Sequence, residues 1–303
     1  MHKVIVTGAN GFVGSHLVNE LLGQGFEVIS VAGKDMPVRN GVKPLFIDLV
    51  NEDEVKSKLD FNGVDGVIHL AGLAAVGDSF SNPLKYIEVN CAIQINIMEA
   101  ALEQKSKARF VVISSGSVYS PDQKLPLTET SRVSPSSPYS VSKLAQENLA
   151  EYYVNRGLSC IVARPFNHIG PGQNSGFIVP DLIAQVMQAK QTHSSSVMVG
   201  NINTRRDYTD VRDITRAYIL LLISGQSGET YNICSGKSLS GEEILNQIMK
   251  TAGVKLTHEV DIAKIRPVDV EEIYGDFSKL NAQTGWKPEI ALEQTISDIF
   301  KTR

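Results

Sequence analysis

Val4-Ile5-Val6-Thr7-Gly8-Ala9-Asn10-Gly11-Phe12-Val13-Gly14 runs from four β-branched residues straight into three evenly spaced glycines. β-branched side chains favour a pleated, buried strand. Beyond the glycines, Val13, Leu17, Leu21 and Leu22 recur at helical spacing, and Gly23 and Gly25 end that helix. The segment therefore reads as strand, tight loop, helix. In such a loop Gly8 permits the sharp turn, Gly11 lets backbone approach a pyrophosphate, and Gly14 lets helix and strand pack closely. The helix start presents free N–H groups and the positive end of its dipole to phosphate. Three glycines alone fit any turn, but in this context they predict a dinucleotide site formed by Gly8, Asn10, Gly11, Phe12, Val13 and Gly14.

Further along, apolar runs at 28–31, 45–47, 64–70, 110–113 and 159–163 alternate with helical patterns. Two long helices open at Asn82-Pro83 and Ser137-Pro138, with a capping side chain followed by proline in the first turn. Alternating strands and helices predict an α/β fold, a Rossmann-type doubly wound parallel sheet. After Arg164 the pattern loosens into Gly/Pro/Asn loops and short elements, including a capping box at Ser240-Gly241-Glu242-Glu243. We read 1–163 as an NAD(P)-binding domain. Residues 164–303 form mainly a smaller C-terminal substrate-binding lobe, with at least one return to the main sheet.

Composition bounds the class. The 303 residues carry a net charge of -4, with 20% charged and 42% hydrophobic residues. By size scaling such a chain buries about three-quarters of its surface. The mild acidity argues against a nucleic-acid partner, and the longest apolar run, 217–223, is far short of a membrane span. The N-terminal apolar run is too short for a signal-peptide core, and three scattered cysteines read as reduced thiols, so a cytoplasmic location is expected. Six scattered histidines show no metal-ligand spacing, and no metal is expected.

Cofactor choice is read after the second strand, where an acid favours NAD and a base NADP. Ala32 stands at the acid's position and Lys34 follows, which favours NADP(H); Asp35 keeps NAD(H) open. Two further groups carry chemistry. Tyr139 and Lys143 sit four apart on a helix and share a face. An ammonium beside a phenol favours its ionised form, so the pair can exchange a proton with a substrate alcohol. Ser114-Ser115-Gly116-Ser117-Val118-Tyr119 follows the fifth strand, at the sheet edge where open α/β sheets bind ligands.

These motifs, in this order, resemble the extended short-chain dehydrogenases/reductases of the nucleotide-sugar epimerase/dehydratase family over nearly the whole chain. The resemblance implies a catalytic set of Ser115, Tyr139 and Lys143, with Asn90 supporting the active-site helix. It also implies cofactor contacts at Asp48-Leu49, Leu70-Ala71-Gly72, Phe166 and His168, besides Lys34, Tyr139 and Lys143. Arg164-Pro165-Phe166-Asn167-His168-Ile169-Gly170-Pro171-Gly172-Gln173, Arg206-Asp207-Tyr208-Thr209-Asp210-Val211-Arg212-Asp213 and Tyr231-Asn232-Ile233-Cys234-Ser235-Gly236 resemble the GDP-6-deoxy-4-keto-mannose reductases of that family. Substrate contacts are thereby implied at Ala74, Ser115, Asn167, Val179 and Arg206, with Arg266 and Asp269 closing on the diphosphate.

Dehydratases of the family need a carboxyl group just after the catalytic Ser/Thr, where this chain has Gly116 and Ser117. The segment 71–79 resembles UDP-glucose 4-epimerases, which keep the acidic ribose-binding residue that Ala32 lacks. The resemblance thus implies reduction of a nucleotide-linked 4-keto-6-deoxyhexose, foremost GDP-4-keto-6-deoxymannose. A 4-epimerase and a non-catalytic NADP-binding regulator are the alternatives. The helices opening at Asn82 and Ser137 resemble the pair that forms a four-helix dimer interface in the family, implying a homodimer.

Overall fold

The computed structural model describes residues 2–33, 40–261 and 270–302; Lys34, Arg266 and Asp269, expected at the site, lie outside them. In chain order the elements are β1 (Lys3–Thr7), α1 (Phe12–Gly23), β2 (Glu27–Ala32), β3 (Lys43–Phe46), α2 (Glu52–Lys58), β4 (Gly66–His69), α3 (Val76–Ser81), α4 (Pro83–Glu103), β5 (Arg109–Ile113), α5 (Pro138–Asn155), β6 (Ser159–Pro165), β7 (Asn167–Ile169), α6 (Ile178–Thr192), β8 (Ser196–Val199), β9 (Arg205–Arg206), β10 (Tyr208–Asp210), α7 (Val211–Ser224), β11 (Thr230–Ile233), β12 (Leu239–Ser240), α8 (Gly241–Ala252), β13 (Thr257–Val260), β14 (Glu272–Ile273), α9 (Ser278–Thr284) and α10 (Leu292–Lys301). A seven-stranded sheet in the order β11-β6-β5-β4-β1-β2-β3 forms the centre, and every neighbouring pair is parallel. This is the doubly wound arrangement expected from the alternation of elements.

Strand side chains alternate between the two faces. Ile5, Val67, Phe110 and Val112 join the core beneath α2, α4 and α5. Val4, Val6, Ile68 and Val111 join the core beneath α1 and α7. A side chain buried this way contributes roughly 1.5–3 kcal/mol, and both faces of β1 are fully covered. A separate apolar core unites α6, α8 and α10 in the C-terminal region. The expected return to the sheet is β11, which pairs with β6 at one edge.

Two local expectations are corrected. The fourth strand occupies Gly66–His69, shorter than 64–70. Asn82 does not cap α4; its amide reaches back to the Asp78 carbonyl at 3.4 Å, while Pro83 does take the first turn. The Ser137 side chain does cap α5, accepting from Ser140 N–H at 3.1 Å. Among the described residues no helix is long and apolar enough to cross a membrane.

Candidate active site

Parallel pairing brings the carboxyl ends of β1, β4 and β5 to one edge of the sheet. Thr7 pairs with His69, and His69 with Val112, so the loops that follow these strands meet. Gly8 turns away from β1 with φ +67°, and a Cβ there would sit 2.9 Å from Ala71 N. A Cβ on Gly14 would lie 2.2 Å from the Gly8 carbonyl oxygen. The loop is therefore a cradle that any side chain would fill. α1 starts above it with no side-chain cap and no acidic residue in its first turn, which suits an anion. Beside the cradle is a groove of about 370 Å³ lined by Gly33, Ile47, Asp48, Leu49, Ala71 and Ile93. Backbone cradle and apolar groove together fit a dinucleotide.

Thr7 fastens this edge: its hydroxyl oxygen accepts from Ala71 N–H at 3.1 Å and lies 2.9 Å from His69 Nδ1. Burial, with Lys143 nearby, pushes the His69 imidazole down to about 3, so it is neutral here. Asn90 holds the next loop from below. Its side chain accepts from Leu73 N–H at 2.7 Å and donates to the Leu73 carbonyl at 3.1 Å and to Ser142 Oγ at 2.9 Å. The Gly72 backbone passes so close that a Cβ there would come within 2.7 Å of Asn90 Oδ1. One buried amide thus joins the loop after β4 to α5.

Ser115 follows β5, and Tyr139 and Lys143 stand one turn apart on α5. The Tyr139 phenol is pushed up to about 12 by burial, against which a hydrogen bond from Ser115 works. The Lys143 ammonium is pushed down to about 8, also by burial, with Cys91 and Glu147 working against the shift. Lys143 Nζ donates to the Ile113 carbonyl and to Gln146 Oε1, both at 2.9 Å, and lies 5.8 Å from the Tyr139 ring centre. The arrangement can donate a proton from a shielded phenol beside a cation, to an oxygen that Ser115 also reaches.

The structure thus gathers the glycine loop, Leu70, Ala71, Gly72, Asn90, Ser115, Tyr139 and Lys143. Asp48 is exposed at the mouth of the groove and Leu49 is buried in its wall. His168 stacks on Phe12 at 6.2 Å between ring centres. Phe166 is buried and stacks on Tyr119. Ala74 is exposed in the loop after β4. Asn167 and Arg206 stand on two small ladders, β7–β10 and β9–β14. Val179 is fully buried in the core of α6, α8 and α10, so its side chain is not presented to a ligand.

Sequence reasoning missed Glu147. It continues the Tyr139/Lys143 face by one more turn and meets Arg164 in a buried two-pronged ion pair, with bonds of 2.8 and 2.6 Å. Ser114 donates to the same carboxylate, and Arg164 reaches Tyr119 Oη at 2.9 Å. The spacing 139, 143, 147 was the available signal.

Fold and site define an NAD(P)-dependent nucleotide-sugar oxidoreductase of the extended short-chain dehydrogenase/reductase type. The chain belongs to the GDP-mannose 4,6-dehydratase family, whose family model matches residues 5–299. It is 35% identical to GDP-6-deoxy-D-mannose reductase of Pseudomonas aeruginosa, covering 98% of this chain and 96% of that one. It is 28% identical to UDP-glucose 4-epimerase of Caenorhabditis elegans, covering 99% and 97%. The solved structure of RMD from Pseudomonas aeruginosa complexed with NADPH superposes with a TM-score of 0.89 at 33% identity, covering 100% and 98%. UDP-glucose 4-epimerase of Thermus thermophilus, in complex with NAD, superposes with a TM-score of 0.86 at 29% identity, covering 99% and 98%.

Proposed function

We propose that this protein uses NADPH to reduce the 4-keto group of a nucleotide-linked 4-keto-6-deoxyhexose, with GDP-4-keto-6-deoxymannose as the substrate. The observation that carries this reading is the similarity, over almost the full length of both chains, to a GDP-6-deoxy-D-mannose reductase and to an NADPH-bound structure. Local chemistry supports it: β2 ends in Ala32, with no carboxylate there for a ribose diol, and Gly116-Ser117 offer no acid/base pair for dehydration.

When bound, NADPH supplies the hydride. Tyr139 delivers its phenolic proton to the C4 oxygen, and solvent returns one, so the ketone gains a hydride and a proton and becomes an alcohol. Lys143 keeps its ammonium near the phenol and offsets the phenolate that forms. Ser115 donates to the same oxygen, and Asn90 holds the loop and α5 in register. The glycine cradle, Asp48, Leu49, the segment 70–72, Phe166 and His168 serve the cofactor. Asn167, Arg206 and Ala74 serve the nucleotide sugar, within a division of labour between 1–163 and 164–303. A homodimer through α4 and α5 and a cytoplasmic setting belong to the same proposal; three free thiols accord with the latter.

The second reading, a 4-epimerase, is favoured by the UDP-glucose 4-epimerases among the relatives. Purified protein with NADPH is expected to lose absorbance at 340 nm on GDP-4-keto-6-deoxymannose, and Tyr139→Phe to lose about 10²–10⁴-fold of that rate while still binding NADPH. Interconversion of UDP-glucose and UDP-galactose without net cofactor use would replace the reductase reading with the epimerase one.

A further inference from the structure

Four serine hydroxyls run in line away from Tyr139. Ser115 Oγ lies 2.9 Å from Ser117 Oγ, Ser117 Oγ 3.0 Å from Ser140 Oγ, and Ser140 Oγ 2.9 Å from Ser137 Oγ. The line joins the turn after β5 to the capped first turn of α5. Each hydroxyl has one proton and two lone pairs. Backbone N–H groups can only donate, and two of them bear on the line: Ser117 N–H on Ser115 Oγ and Ser140 N–H on Ser137 Oγ, each at 3.1 Å. Once Ser117 Oγ also donates to Ser115, both lone pairs of Ser115 are filled. Its one proton then points outward, toward the Tyr139 phenol, whose ionised form the Ser115 side chain favours, or to an oxygen bound beside it. Ser117 can give its proton to Ser115 because Ser140 donates to Ser117 from behind. Ser137 and Ser140 are buried, so water does not compete at the far end. Hydroxyls that donate in one direction polarise one another.

We propose that Ser117 and Ser140 are positioning residues that fix the Ser115 hydroxyl as a donor toward Tyr139 and the oxygen it protonates, with Ser137 anchoring the far end. The proposal rests on Tyr139 being the acid of the proposed reduction. Without Ser117 a lone pair of Ser115 opens, and the phenol can turn its proton onto Ser115 instead of the substrate. The other titratable groups around Tyr139 are Tyr86 of α4, Tyr218 of α7 and Lys143 of α5, and none is altered by the variants below.

The test reads Tyr139 directly, by tyrosinate absorbance against pH with saturating NADP, taking each protein's difference from its own Tyr139→Phe counterpart. Turnover of GDP-4-keto-6-deoxymannose is followed in parallel. Ser117→Ala is expected to move the Tyr139 transition up by about half to one pH unit and to lower kcat about 3- to 10-fold, with KM changing less. Ser140→Ala should act in the same direction, and Ser117→Thr should restore both readouts. A Tyr139 transition in Ser117→Ala at the wild-type pH overturns the proposal, whatever happens to the rate. Absence of turnover by the wild type on the keto sugar would instead defeat the functional reading, and the titration would still decide the role of the serines.

Discussion

Lys143 sits where chemistry and stability pull in opposite directions. An ammonium shut away from water is costly, and burial pushes the Lys143 pKa down from 10.5 to about 8. At about 1.4 kcal/mol per pH unit the penalty is roughly 3 kcal/mol. The fold partly offsets it with two hydrogen bonds, to the Ile113 carbonyl and Gln146 Oε1. Below pH 8 the lysine is protonated in both folded and unfolded chains, and the penalty is fully present. Between about 8 and 10.5 the unfolded chain still holds a proton that the folded chain has released, so rising pH stabilises the protein. Lys143→Met removes the penalty and forfeits the two bonds, each worth about 1 kcal/mol. We expect the variant to be inactive yet more stable than wild type by about 1 kcal/mol at pH 7, with the gain shrinking toward pH 10. Urea denaturation at the two pH values checks this; a variant less stable at pH 7 would count against a strained lysine.

At the scale of elements, α5 carries the site because several devices hold it in place. Ser137 caps it, Asn90 bonds to Ser142, and Gln146 donates to the Asn90 carbonyl at 3.1 Å. The strongest hold is the Glu147–Arg164 pair, buried on both sides. Removing one partner of such a pair strands a charge, so Glu147→Ala should cost about 3–5 kcal/mol. A fall in the urea midpoint at unchanged slope is the expected sign, and a loss under 1 kcal/mol would show that the pair does not hold the helix. Much of this helix was legible in the sequence. Ser137-Pro138 announces its start, and Tyr139 and Lys143 mark the face proposed to do the chemistry. Glu147 continues that face, but an acid at helical spacing looks the same whether it meets solvent or an arginine on the next strand. The serine line was hidden for a related reason: its members come from two segments some twenty residues apart, and only the fold makes them neighbours. Val179 shows the converse limit, since an apolar helix residue reads alike in a pocket wall and in a core. The main sheet was far more legible, because strands such as β1 are buried on both faces and so are written almost wholly in β-branched residues.

For the whole molecule, the question is what covers the outer face of α4 and α5. Leu84, Ile87, Cys91 and Ile95 follow one another at intervals of three or four along α4, a stripe on one face of the helix. Leu84 is 66% exposed, Ile87 37% and Ile95 36%. On α5 beside it, Val141 and Tyr152, three turns apart, are 40% and 52% exposed. Single exposed apolar residues are ordinary, but a stripe flanked by two more on the adjoining helix forms a patch of the kind that marks an interface. The other face of α4 is committed to the sheet through Ile93, Ile97 and Met98, so among the described residues the stripe stays exposed. A second copy could supply the same two helices about a twofold axis, closing a four-helix bundle in which each stripe meets its own counterpart. Ile87→Glu with Ile95→Glu places two charges at that contact in each copy, four in all, where like charges repel and lose water. We expect wild type to elute at the mass of a dimer in light-scattering chromatography and the double variant at the mass of a monomer. The glycine cradle and the Tyr139 site lie at the strand ends rather than on this face, so NADPH should still bind the monomer. A wild-type protein that is monomeric at micromolar concentration would leave the stripe to some other partner and remove the dimer from the proposal.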